Sequence, residues 1–93
     1  MSEKLNDIAI FRKVTLDFPI KDGHSNDVTE LKIRRAKAKD LRTAQSQKNE
    51  ADQEFYLLAI LTGLTIEDIA ELDIADYSKL QAILKEMQKG KSA

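Results

Sequence analysis

Residues 55–87, FYLLAILTGLTIEDIAELDIADYSKLQAILKEM, constrain the fold of this chain more than any other stretch. Two stop-and-start signals divide them into three helical pieces. Residues 55–61 form a nearly unbroken apolar run, too short to cross a bilayer and of the right length for a buried helical turn or two. Gly63 stands where a left-handed residue ends a helix, and Leu64 is placed to fold back on its last turn. Thr65 followed by Asp68 reads as an N-cap with its returning acidic partner. Asp73 with Asp76 repeats the device eight residues later. The last helix, 74 to about 89, then sets Ile74, Tyr77, Leu80, Ile83, Leu84 and Met87 at three-and-four spacing, an amphipathic stripe.

The rest must pair with these helices. Val14, Leu16, Phe18 and Ile20 alternate with Lys13, Thr15, Asp17 and Pro19, the period of a half-buried strand. Pro19 cannot donate to a ladder, so it places the strand at an edge or ends it. The segment KDGHSND is a turn, with Asp22-Gly23 as its strongest signal. Thr29, Leu31 and Ile33 then share one face of a second strand. A lone hairpin is marginal in water, so its apolar face needs the helices as cover. The expected fold is α+β: a hairpin at 13–35 packed on helices at about 40–46, 51–62, 66–72 and 74–89. Helix 51–62 is expected to bury Phe55, Leu58, Ala59 and Leu61, and helix 66–72 Ile66, Ile69, Ala70 and Leu72. Residues 13–89 are expected to form one domain, after a loosely ordered 1–12 and before a flexible 90–93, with Gly90 stopping the last helix.

Ninety-three residues suit one small domain. The chain has no cysteine, which removes disulfides, zinc-thiolate sites and thiol nucleophiles together. No signal peptide or membrane span is read near its start. Charge is divided: residues 1–48 hold 11 Lys/Arg against 7 Asp/Glu, and residues 49–93 hold 4 against 9. Such a split suits a solvated surface, an intramolecular complement or head-to-tail stacking of copies, the first being the default.

Catalytic signals are weak. His24, the sole histidine, sits in a turn, and a metal site needs three or four converging ligands, so no metal and no cofactor are expected. Asp68, Asp73 and Asp76 lie at helix starts, where capping accounts for them. No glycine spacing marks a phosphate loop, and an enzyme is not expected. The helix–turn–helix look of residues 57–83 fails for DNA, because Glu67, Asp68, Glu71, Asp73 and Asp76 would meet phosphate with like charge. The basic cluster Lys32, Arg34, Arg35, Lys37, Lys39 and Arg42 offers an electrostatic contact, and it carries the alternative reading of a small nucleic-acid-binding regulatory domain.

The strand VTLDFPI, the run TELKIRRAKAKDLR, and LTGLTIEDIAELDIADYSKLQAIL together resemble the small tail assembly chaperones of Mu-like and related contractile-tailed bacteriophages and prophages. The similarity covers about residues 14–85. Its most specific part is the order and spacing of residues 61–80. The chain departs from the family pattern at Ala36 and Lys39, where proline and glycine are common. The resemblance implies a non-enzymatic factor in the cytoplasm of the bacterial host, absent from the finished virion, that coats the tape measure protein until the tail tube forms. It further implies a frameshifted longer form of the chain as a partner, with homo-oligomers also in view; no membrane or nucleic-acid partner is expected. Tyr77, Leu80, Leu84 and Met87 are the expected partner-binding residues, methionine being adaptable in shape.

Overall fold

The computed structural model describes residues 11–89. The expectations for residues 1–10, for Gly90 as a helix stop and for the tail lie outside the described residues. Two strands and four helices follow in order: β1 (Phe11–Lys21), β2 (Asp27–Arg34), α1 (Ala38–Ala44), α2 (Glu50–Thr62), α3 (Ile66–Ala70) and α4 (Ile74–Lys89). β1 and β2 form an antiparallel hairpin, so the α+β architecture stands as expected.

The local signals work as their chemistry requires. Gly63 ends α2 with φ 79°, a left-handed conformation that suits a residue without Cβ. Thr65 Oγ1 accepts from Asp68 N at 3.1 Å, and Thr65 N donates to Asp68 Oδ2 at 3.3 Å, a reciprocal cap that starts α3. Asn49 caps α2 by accepting from Asp52 N at 2.8 Å. In the hairpin turn the left-handed residue is Ser25, φ 64°, rather than Gly23. Asp22 Oδ1 holds that turn by accepting from His24 N and Asn26 N.

One face of the hairpin is covered by helices. Val14 and Leu16 of β1, and Leu31 and Ile33 of β2, meet Leu58 and Leu61 of α2, Ile69, Leu72, and Leu80 of α4. β2 rests on α2 and β1 on α4, while α1 and α3 flank α2. Burying each such aliphatic side chain contributes about 1.5–3 kcal/mol.

The hairpin register breaks once. Phe11 to Thr15 pair in step with Arg34 to Glu30, and pairing resumes at Ile20↔Val28. Residues 16–19 therefore oppose Thr29 alone, a bulge that also accommodates Pro19. It corrects the expected alternation: Phe18 turns outward and is 56% exposed, and Thr29, expected on the inner face, is exposed. The helix faces need corrections as well. Ile74 is 80% exposed because the stripe of α4 meets the core only from Tyr77 onward, and Ala70 faces solvent at the end of the short α3.

Asp76 is the second surprise. It does not return to cap its own helix. Its side chain is wholly buried, and its two carboxylate oxygens accept from the bulge amides, Asp17 N at 2.8 Å and Phe18 N at 3.0 Å. Lys79 completes the clamp, with Nζ donating to Thr15 O at 2.9 Å and lying 3.3 Å from Asp76 Oδ1. Burial pushes the Asp76 carboxyl up, but the two amides and Lys79 outweigh it and hold the group below the usual carboxylate range. Asp68 is likewise buried, so neither residue belongs to an exposed acidic face.

Candidate functional site

α1 is a polar helix with one buried alanine, and it is held by charge more than by packing. Arg34, ending β2, donates both guanidinium arms to Asp40 at 2.8 and 2.9 Å, and Asp40 Oδ2 also accepts from Lys37 N at 2.8 Å. The Arg34 guanidinium holds the Asp40 carboxyl down at about 2. Beside this junction Arg35 donates to Met87 O at 3.0 Å, and Arg12 pairs with Glu86, so the open end of the hairpin meets the end of α4.

α2 and α4 are joined by a buried-edge network. Glu54 accepts from the Tyr77 hydroxyl and from Gln81 Nε2, while the Phe55 and Tyr77 rings pack with centroids 5.3 Å apart. Burial and the Glu54 carboxylate raise the Tyr77 hydroxyl above its ordinary pKa.

α1 is anchored at its start by Asp40, and the turn that follows it is tied to α2 through Gln53 Nε2 donating to Gln47 O; a groove is left between α1, α2 and α4. Its volume is about 730 Å³, and its apolar lining includes Leu41, Ala44, Leu57, Leu84 and Met87. Leu41, the only large apolar residue on its helix, is 44% exposed and adds to the apolar lining of the groove.

Of the expected partner-binding residues, Leu84 and Met87 line this groove. Tyr77 and Leu80 do not: Tyr77 is engaged with Glu54, and Leu80 is fully buried in the core, where it supports α4 from behind. Leu41 and Leu57 join the site from other helices. A lone leucine on an otherwise polar helix was the sequence signal for the first, and nothing in the residue pattern singled out the second. The basic cluster is divided by its contacts. Arg34 and Arg35 are spent on Asp40 and Met87, while Lys32, Lys37, Lys39 and Arg42 are exposed.

His24 is exposed in its turn, and among the described residues no group of acidic, histidine or cysteine side chains gathers to hold a metal ion. No described helix is long and apolar enough to cross a membrane. The site offers an apolar trough with polar rims, suited to a side-chain stripe from another chain.

No curated protein and no solved structure matches the chain. A family model described as phage tail assembly chaperone proteins, E, or 41 or 14 matches residues 13–89, which take in most of β1, all of β2, the clamp at Asp76 and the three helices that line the groove. The chain belongs to this family of phage tail assembly chaperones.

Proposed function

We propose that the protein binds the tape measure protein during tail morphogenesis, in the cytoplasm of the bacterial host, without catalysing a reaction, and leaves before the virion is complete. The observation that carries this reading is the open apolar groove in a chain of the chaperone family. A groove of this kind receives the apolar face of an amphipathic helix. Leu84 and Met87 on α4, with Leu41 and Leu57 opposite, supply contact that is broad and weakly shaped, Met87 adapting to different side chains. Such contact suits repeated, reversible coating of a long helical partner.

Co-expression with the tape measure protein of the same phage tests the proposal. The partner should become soluble and copurify, and Leu84→Glu combined with Met87→Glu should abolish this. Both residues are partly buried and touch the core, so the far-UV circular dichroism of the double variant is compared with wild type before binding is read, and Leu84→Ser with Met87→Ser serves as the milder pair. Copurification unaffected by the two glutamates in a folded protein would rule out the groove as the binding surface.

A further inference from the structure

The groove carries opposite charge at its two ends. One end lies where α1 begins: Lys37 is on one rim and Lys85 on the other, and the Arg35–Met87 bond closes that end. The other end lies where α1 finishes beside the start of α2. There Glu50 and Glu54 line the groove, and the Gln81–Glu54 bond fixes their level against the first half of α4. Among the described residues neither lysine side chain forms an ion pair, and neither does Glu50. Glu54 bonds only the neutral donors Tyr77 and Gln81, so no internal cation offsets it.

An α-helix has the matching asymmetry, with about half a positive charge at its N-terminus and half a negative charge at its C-terminus. We infer that the groove accepts a tape measure helix in one direction only, N-terminus against Glu50 and Glu54 and C-terminus against Lys37 and Lys85. This rests on the function proposed above and adds the direction of the bound segment. An extended strand has only a small net dipole and would gain little from the same gradient. A helix with acidic residues in its first turn is disfavoured by the two glutamates.

The test uses the full chain, isotope-labelled, with overlapping synthetic peptides of about 20 residues, roughly 30 Å as helix, covering the tape measure protein of the same phage. The peptide that binds most tightly is given a nitroxide at its N-terminus in one sample and at its C-terminus in another. The N-terminal label should broaden the amides of Gln45 and Glu50, and the C-terminal label those of Lys37 and Gln88. Reversed or equal broadening overturns the direction and leaves the chaperone reading standing. Lys85→Glu, at an exposed position, should weaken that peptide roughly three- to thirty-fold at low ionic strength, less in high salt, with the melting temperature unchanged. An affinity unchanged by this reversal refutes the electrostatic basis. If the whole tape measure protein copurifies but no peptide perturbs the groove amides, the direction and the groove as binding surface are both lost, while the chaperone role stands. If the tape measure protein does not copurify, the proposed function falls with it.

Discussion

Asp76→Asn isolates the clamp that joins the hairpin to α4. The wild-type carboxylate is fully buried and serves two backbone donors at once, at 2.8 and 3.0 Å. Asparagine is nearly the same size but keeps one acceptor oxygen, and its NH₂ must face the other N–H. One charge-assisted bond is lost, about 1.5–3 kcal/mol, and a donor in the bulge is left without a partner, which costs about 1–3 kcal/mol if no relaxation relieves it. The two losses overlap, so the expected destabilisation is about 2–4 kcal/mol. Against a total near 5–14 kcal/mol for a domain of this length, the variant folds but is markedly weakened. Its melting temperature should drop by roughly 10–25 °C. Urea unfolding followed by circular dichroism measures the loss, and hydrogen exchange locates it, with protection falling first at the Asp17 and Phe18 amides. Lys79→Met, at a side chain that is 37% exposed, should cost less. An Asp76→Asn variant within about 0.5 kcal/mol of wild type, with the same urea dependence, would refute the claim that this carboxylate holds the bulge.

Acid should weaken the protein through two carboxylates. Asp40 is held at about 2 and Asp76 also lies below the ordinary value of 3.8, so the folded chain binds fewer protons than the unfolded one. Stability from both is full above about pH 4 and drains as the pH falls toward 2, and Asp40→Asn should flatten that limb in urea titrations across the range. Gly63→Ala should cost about 1–2 kcal/mol from backbone strain alone, since a Cβ there meets no heavy atom within 4 Å; its thermal melt separates this from a packing loss. Ile74→Ser should leave stability within about 0.5 kcal/mol of wild type, because Ile74 is 80% exposed, and a loss of 2 kcal/mol or more in urea unfolding would mean that the residue is packed after all.

What the sequence made legible was decided within one or two turns of chain. The Gly63 stop, the Thr65–Asp68 box and the period-two alternation at Val14 and Leu16 depend on near neighbours, and all three stand. The Asn49 cap is equally local, marked by Asn49 and Asp52 at capping distance. What stayed hidden depends on distant partners. Phe18 faces outward because the bulge amides are gripped by a residue more than fifty positions away, and no window along β1 contains that fact. The groove is likewise a property of three helices. Leu84 and Met87 could be picked from the stripe on α4, but only packing separates them from Leu80 on the same stripe.

The clamp also imposes an order on synthesis. A ribosome that has released the hairpin and α1 to α3 has made most of the core residues but not Asp76. Until that residue emerges, the amides of Asp17 and Phe18 have only water as partner, and the inner face of β1 lacks Leu80 as cover. The hairpin can form and reopen, but it cannot be locked, because the closing bond spans 59 residues and carries the entropy of that loop. Nascent chains arrested before Asp76 should therefore stay open to proteases at the bulge, and those arrested well after Leu80 should resist. Closing the clamp is thus a late event in synthesis, in which the first described strand is fastened by the last described helix.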